Sequence, residues 1–341
     1  MNIVGTVQRN LKIINLIYNK NKIYTLLYMK DLQELILANR PKLSAGSVKT
    51  YVNCLKNLFS SVYPKTEFNY KLFFADQKKV LDYLNTVKFN VRKTILSALV
   101  VISQNEKPEI LKAYRDQMIE DSQKYKVQES EHKMTDSMKE NWIDWDDILE
   151  ILNKLKNKVY WIFKEDKPTK DNLLELQKYI ILCCYCMIEP RRSQDYCAMK
   201  VKNYDEKKDN YYKKGTFYYH NYKTSKTYGL QTMKCPKPFE MLLNKWIKIR
   251  QQVVSESDYL FSDWFDRPLC ATGMAKILNS IFQKNVSVNI LRHSYLTHTV
   301  GPELKKLQET AKNMGHSMVE QALYVKEIPK IKVKLQKSIT V

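Results

Sequence analysis

The stretch "VSVNILRHSYLTHTVGPELKKLQETAKNMGHSMVEQALY", from Val286 to Tyr324, predicts two helices followed by a turn and a tyrosine. The first helix is expected to open near Ser287, where an apolar periodicity begins. Residues three or four positions apart share one side of a helix, so one side is polar and the other can face a core. The polar side carries Asn289, Arg292 and His293, and the apolar side carries Leu291, Tyr295 and Leu296.

The second half of this stretch predicts a break, a helix and a glycine-histidine turn. Gly301 and Pro302 are expected to end the first helix and start the next, because proline is favoured at a helix start. Gly315 then ends the second helix in the left-handed conformation that glycine adopts at low cost. His316 follows directly, and Tyr324 comes eight positions later.

Two further basic segments lie upstream. In "YIILCCYCMIEPRRSQDYCAMKVKNYD", residues 179–205, an apolar helix breaks at Pro190 and is followed by tandem arginines and an aspartate. In "GTFYYHNYKTSKTYGLQTMKCP", residues 215–236, β-branched and aromatic residues alternate on both sides of a turn-like centre, which predicts a β-hairpin. Lys223 and Lys226 lie in that centre.

These segments, taken in order, resemble the tyrosine recombinase (phage integrase) family over roughly residues 142–324. The family's catalytic half contains a first arginine with an acid three positions on, a hairpin lysine, an "LRH" helix, a "GH" turn and a nucleophilic tyrosine. The resemblance implies that Arg192 pairs with Asp195, with Arg191 as the alternative, and that Lys223 is the catalytic lysine, with Lys226 as the alternative. The catalytic set that it implies is Arg192, Lys223, Asn289, Arg292, His316 and Tyr324.

Two positions depart from the family pattern. Asn289 stands where the family usually has histidine or lysine, and an asparagine can hydrogen-bond a phosphate but cannot shuttle a proton. The spacing from His316 to Tyr324 is one residue shorter than the commonest family spacing. Neither departure removes the nucleophile or the arginines, so we expect a divergent but active enzyme.

The resemblance implies DNA cleavage and rejoining through a covalent 3′-phosphotyrosyl intermediate. A phenol with a pKa of about 10 is ionised to only about one part in a thousand at neutral pH, so the site must favour the phenolate. Arginine forks match phosphate oxygens and would stabilise the transition-state charge without a metal or other cofactor. Lys223 would protonate the 5′-oxygen leaving group. Two alternatives remain: a type IB DNA topoisomerase, and a DNA-binding protein with impaired catalysis.

The expected fold is mainly α-helical with a small β-sheet (α+β). The chain of 341 residues is long enough for two domains. We predict an N-terminal extension at 1–29, a helical DNA-binding domain at 30–125 resembling the family's core-binding domain, a linker at 126–141, a catalytic domain at 142–326 and a tail at 327–341. The predicted contacts to DNA phosphates are Lys49, Asn53, Lys56, Arg92, Lys93 and Lys226.

The net charge of +21, from 57 basic and 36 acidic residues, indicates a polyanionic partner. Only nine of the basic residues are arginine, so a lysine-rich surface that merely reflects an AT-rich genome is the alternative. Two of these nine arginines occupy motif positions, where lysine would not substitute. We expect double-stranded DNA as the partner, a dimer to tetramer on DNA, and a viral or mobile-element source.

The cysteines and acidic residues do not predict a metal site. Cys183, Cys184 and Cys186 lie in an apolar helix and are expected to be buried thiols of a reducing compartment. Cys183 and Cys186 have half-zinc-site spacing, but no second pair stands at ligand spacing. The acids at 144–147 are expected to charge the first turn of a helix. Without a convincing signal peptide or membrane span, we expect a cytoplasmic or nuclear protein that is not secreted.

Overall fold

The computed structural model describes residues 28–130 and 133–326. The chain divides into two compact units, the first ending at Lys133 and the second beginning at Met134. Most of the predicted N-terminal extension and all of the tail at 327–341 lie outside the described residues. The described chain is mainly helical with one small antiparallel sheet, which confirms the predicted fold class.

The first unit is entirely helical in its described part, as predicted. The side chain of Ser44 accepts a hydrogen bond from the Ser47 amide and the side chain of Asp76 accepts one from the Lys79 amide, so side-chain caps begin two of the helices. Apolar side chains from all of its longer helices form one core. The helices are α1 (28–39), α2 (Ala45–Val62), α3 (Leu72–Ala75), α4 (Gln77–Asn85), α5 (Phe89–Ile102) and α6 (Pro108–Ser130).

The buried side chain of Arg92 connects three of these helices. Arg92, on α5, donates from Nε and Nη2 to the two carboxylate oxygens of Asp121 on α6, at 2.7 and 2.6 Å. Its Nη1 lies 3.3 Å from the carbonyl oxygen of Leu84 at the end of α4. The Arg92 side chain is therefore committed to the interior of the unit, and the prediction that it contacts DNA is wrong. The sequence grouped it with its neighbour Lys93 as a surface residue, but α4 and α6 pack over its side chain.

The predicted linker at 126–141 is largely helical. The last turn of α6 extends to Ser130, and Thr135 caps a further helix, α7 (Asp136–Asn141), by accepting from the Met138 amide. Glycine is absent from this segment and lysine and glutamate are frequent, so its composition favours helix despite the lack of an apolar stripe. Most of its described side chains are exposed, as predicted.

The second unit packs its helices around the central, buried α9. Thr169 and Asn172 form a reciprocal cap at the start of α9, and Asp144 stands at the N-cap of α8 with two acids in its first turn, as predicted. Two of the three clustered cysteines on α9 are buried, and burial raises the pKa of Cys183 to about 12. The helices are α8 (Trp145–Val159), a 3₁₀ helix (Tyr160–Lys164), α9 (Lys170–Cys186), α10 (Ser193–Tyr196), α11 (Ser225–Tyr228), α12 (Lys237–Val253), α13 (Ala271–Phe282), α14 (Val288–Thr299), α15 (Gly301–Asn313) and α16 (Met318–Tyr324).

The sheet contains three antiparallel strands in the order β1 (Tyr211–Lys213), β2 (Thr216–Tyr219) and β3 (Gln231–Lys234). In the register of β2 and β3, Phe217 is opposite Met233. The predicted hairpin is therefore confirmed. Its connection also contains the short helix α11, so the two lysines lie in a longer loop than a tight turn would provide.

The three C-terminal helices carry the stretch that opened the sequence analysis. The side chain of Ser287 caps α14 as predicted, by accepting from the Ile290 amide. On α14, Leu291 is buried and Tyr295 packs edge-on against Trp145, whereas Leu296 is 49% exposed, contrary to its predicted core position. In the described chain, α15 buries only Ala311 and α16 buries no side chain. No helix in the described ranges is both long and apolar enough to span a membrane.

Candidate active site and basic surfaces

Arg191 binds the buried carboxylate of Asp195, in the segment that follows Pro190. Arg191 Nε donates to Asp195 Oδ2 at 2.8 Å, and its Nη1 donates to Gln231 Oε1 at 3.0 Å on β3. The same guanidinium lies 3.9 Å from the ring centroid of Tyr219. The predicted pairing of Arg192 with Asp195 is therefore wrong. Arg191 lies four residues before Asp195, outside α10, and its guanidinium contacts Tyr219 of β2 and Gln231 of β3.

Arg192 and Arg292 come together at an open pocket of about 260 Å³. Arg192 stands at the N-cap of α10, and within residues 28–130 and 133–326 its guanidinium has no hydrogen-bond or ion-pair partner. Arg292 is half-buried on α14, and its Nε donates to the Pro190 carbonyl oxygen at 3.2 Å. We call this the arginine pocket. Its lining residues are Glu189, Pro190, Arg191, Arg192, Asp195, Tyr222, Thr224, Tyr228, Gln231, Met233 and Arg292.

The electrostatics of the arginine pocket favour an anion. Burial lowers the pKa of Arg292, and the nearby charge of Arg192 lowers it further. Burial raises the pKa of Asp195, although the charge and hydrogen bond of Arg191 act in the opposite direction. Arg191 binds the Oδ2 atom of Asp195, and within residues 28–130 and 133–326 no ion pair joins this carboxylate to Arg192 or Arg292. A phosphate bound between the two guanidinium groups would attract both of them and offset their mutual repulsion.

The predicted lysines lie in the connection beside the arginine pocket. Lys223 is exposed and lines a neighbouring cavity of about 370 Å³, and Tyr222 forms a wall of both cavities. The Tyr222 hydroxyl donates to the Gly229 carbonyl oxygen at 2.8 Å, which closes the connection. Gly229 has a φ of 62°, a conformation that favours glycine. Lys226 is exposed on α11 and does not line the arginine pocket.

Asn289 is exposed on α14, one helical turn before Arg292. Residues at this spacing lie on the same side of a helix, so Asn289 shares a side of α14 with Arg292, but it does not line the arginine pocket. His293, which the sequence placed on the same side, is also exposed.

His316 and Tyr324 form a second cluster. Their rings are stacked with centroids 5.4 Å apart and an interplanar angle of 18°. They line a cavity of about 450 Å³ together with Glu320, Leu323 and Lys326. The Nε2 atom of His316 is buried without a hydrogen-bond partner among the described residues, while 70% of Tyr324 is exposed. The imidazole nitrogen thus remains available to a group that enters this cavity.

The two clusters are separate in the structure. Within the described ranges, no hydrogen bond, ion pair or ring contact joins His316 or Tyr324 to Arg192 or Arg292. The structure therefore brings the arginines together and brings the histidine and tyrosine together.

The basic residues predicted for the first unit differ in their surroundings. Lys49, Asn53 and Lys56 are exposed on α2 at helical spacing, so they share one solvent-facing side. Lys93 places its Nζ 4.1 Å from the ring centroid of Tyr125. Arg92 is removed from this set by its ion pair with Asp121.

Several residues that line or support the arginine pocket were not predicted from the sequence. Gln231 and Tyr219 hold Arg191, and Tyr222 separates the two cavities. Asn210 ties the lysine connection to the segment of Asp195. The alternating aromatic pattern around Tyr219 pointed to a strand, but nothing in the local sequence identified these residues as neighbours of an arginine.

Comparison with known proteins adds no family assignment. No protein-family model matches the chain, and no curated protein sequence matches it. Among solved structures, the crystal structure of XerA recombinase aligns over 89% of this chain and 94% of its own, with 13% sequence identity and a TM-score of 0.34.

Proposed function

We propose that this protein is a site-specific DNA recombinase that cleaves and rejoins strands through a covalent 3′-phosphotyrosyl intermediate. The observation that carries the proposal is the convergence of Arg192 and Arg292 on one open pocket, with no carboxylate of the described residues paired to either arginine. Two guanidinium forks side by side suit the non-bridging oxygens of a phosphodiester.

Three further features support DNA as the source of this phosphate. The chain carries a net charge of +21, and Lys49 and Lys56 present a basic side on α2. Tyr324 is exposed, and its phenol ring stacks on the imidazole of His316. A buried anion site for a small metabolite would not need an exposed nucleophile or a second basic surface.

In the proposed reaction, the phosphodiester bound by the arginines meets the tyrosine of α16. The Tyr324 Oη attacks phosphorus, forming the P–Oη bond as the P–O5′ bond breaks. The phenolic proton passes to His316 or to water, and Lys223 gives a proton to the departing O5′. The number of phosphoester bonds is unchanged, so a 5′-hydroxyl can attack the phosphotyrosine and reseal the strand.

Substrate binding must unite the arginine pocket with the His316–Tyr324 cluster. Because α15 and α16 bury only Ala311 between them in the described chain, few apolar contacts oppose a shift of these helices. We propose that DNA contact provides the driving force for this shift and that the protein acts as a dimer to tetramer on DNA.

A DNA-binding protein with impaired cleavage is the second candidate. The separation of Tyr324 from the arginine pocket and the asparagine at 289 favour it. Both candidates bind DNA, so binding alone does not distinguish them. Only the recombinase forms a covalent protein–DNA adduct.

The deciding experiment uses nicked suicide duplexes built from the DNA that flanks the gene. We expect a denaturant-resistant adduct in the presence of a chelator, with the DNA attached to Tyr324 by peptide mapping. Exchange of strands between two duplexes would identify a recombinase, whereas relaxation of supercoiled DNA without exchange would identify a type IB topoisomerase. Binding without an adduct on any flanking sequence would favour the second candidate.

A further inference from the structure

The side chain of Asn210 makes four hydrogen bonds to the main chain, which is the full capacity of an amide. Its Nδ2 donates to the carbonyl oxygens of Asp195, at 3.0 Å, and Asn221, at 2.8 Å. Its Oδ1 accepts from the amides of His220 and Asn221, at 2.8 and 2.7 Å. Asn210 is 6% exposed. It therefore acts as a buried brace between two segments that are distant in the chain.

One of these segments leads to Lys223, and the other carries the arginines. His220 and Asn221 begin the connection in which Lys223 lies two residues further on. The Asp195 carbonyl belongs to α10, and Arg192 is the N-cap residue of that helix. Asn210 is itself anchored, because its carbonyl oxygen accepts from the Lys200 amide at 2.9 Å. The brace thus sets the position of the Lys223 connection relative to Arg192.

We infer that Asn210 is a positioning residue that holds Lys223 where it can protonate the leaving 5′-oxygen of DNA; this inference rests on the proposed function. Lys223 is exposed, and its side chain has no hydrogen-bond or ion-pair partner in the described chain. Its main-chain position is therefore the available means of aiming it. A general acid must lie within hydrogen-bond reach of the atom that it protonates, so an unanchored connection would reduce cleavage.

The test is single-turnover cleavage of two substrates by the wild-type protein and by the Asn210→Ala and Lys223→Ala variants. One substrate has the natural 5′-oxygen at the scissile phosphate, and the other has a bridging 5′-sulfur. A thiolate leaves without a proton because the pKa of a thiol is well below that of an alcohol. On the oxygen substrate we expect Lys223→Ala to lose about 10²- to 10⁴-fold and Asn210→Ala about 10²-fold. On the sulfur substrate both variants should approach the wild-type rate.

Gln177→Ala is the matched control. Gln177 is a buried amide of the same unit that donates to the Ser262 carbonyl oxygen and accepts from the Ser262 amide, at 2.9 and 3.0 Å. Its loss removes a similar main-chain brace away from Lys223. We expect any reduced cleavage by Gln177→Ala to be the same on both substrates. A sulfur rescue for this variant as large as that for Asn210→Ala would overturn the inference.

A second variant and a second measurement guard against misfolding. Asn210→Asp keeps the acceptor for His220 and Asn221 but loses both donors, and we expect it to show a partial defect that sulfur also rescues. Hydrogen exchange at the His220 and Asn221 amides should accelerate in Asn210→Ala more than at the core amides of α9. If the wild type forms no adduct, the proposed function fails. If the wild type and Lys223→Ala behave as expected but sulfur does not rescue the Asn210 variants, only this inference fails.

Discussion

The imidazole of His316 stacks on the phenol ring of Tyr324, with the ring centroids 5.4 Å apart. The stack involves the ring face of the tyrosine and leaves its hydroxyl group uninvolved. Removal of the hydroxyl alone would therefore keep the contact that holds α16 beside the glycine-histidine turn. This makes Tyr324→Phe a clean test of the nucleophile.

We predict that Tyr324→Phe abolishes adduct formation on a suicide duplex and leaves DNA affinity nearly unchanged. Binding depends on basic residues spread over the chain, and the variant removes no charge. Gel analysis under denaturing conditions measures the adduct, and anisotropy with a labelled duplex measures affinity. The control is Tyr295→Phe, which removes the hydroxyl group of another tyrosine, one whose ring packs on Trp145. An adduct that persists in Tyr324→Phe but disappears in Tyr295→Phe would move the nucleophile to Tyr295.

We predict that Arg191 contributes mainly to stability and Arg192 mainly to cleavage. Arg191→Ala leaves Asp195 buried without its ion-pair partner, so the free energy of unfolding should fall by about 3 kcal/mol. Arg192→Ala breaks no hydrogen bond or ion pair to another described residue and relieves repulsion of Arg292, so stability should change little while cleavage falls by about 10²-fold. Urea unfolding and single-turnover cleavage measure the two effects. Equal loss of stability in both variants would contradict this division of roles.

The pH dependence of stability should report the buried carboxylate of Asp195. Because burial raises its pKa above 3.8, the folded state holds this proton more tightly than the unfolded state does. Its contribution to stability is therefore greatest below pH 3.8 and is lost as pH rises through the higher folded-state pKa. The difference in unfolding free energy between wild type and Asp195→Asn should shift in favour of the variant over this interval. A difference that is independent of pH, or that shifts in favour of wild type, would refute the prediction.

The exposed side of α2 should contribute to DNA binding through charge alone. Replacing both Lys49 and Lys56 by alanine should reduce the slope of the logarithm of the binding constant against the logarithm of salt concentration by about 2. Thermal stability should be unaffected, because both side chains are exposed. The control is Lys154→Ala, an exposed lysine of the second unit that forms an ion pair with Glu150.

Arg92→Ala provides the contrasting case within the same unit. It should lower the free energy of unfolding by about 3 kcal/mol, because it leaves Asp121 buried and unpaired. At a temperature where the variant remains folded, the salt dependence of its DNA binding should match that of the wild type. A reduced salt dependence with unchanged stability would restore Arg92 to the DNA-contacting set.

The sequence by itself determined the features that depend on near neighbours in the chain. The helix start near Ser287 was predicted from the apolar periodicity that begins there, and the structure confirms it with a side-chain cap that acts within three residues. The hairpin strands followed from an alternation with period two. The order of the arginines, lysines, histidine and tyrosine was likewise readable, because it is a property of the chain alone.

Only the tertiary structure decided what each charged group faces. Arg191 and Arg192 are adjacent, but Tyr219 and Gln231 from the sheet bind the first and leave the second at the pocket. The sequence predicted Arg92 to be a surface residue, but in the fold it binds Asp121 of α6 in the interior. Burial and pairing depend on residues that are distant in the chain, and a local pattern does not contain those distances. The brace at Asn210 could not be predicted for the same reason, since all of its partners lie at least ten residues away.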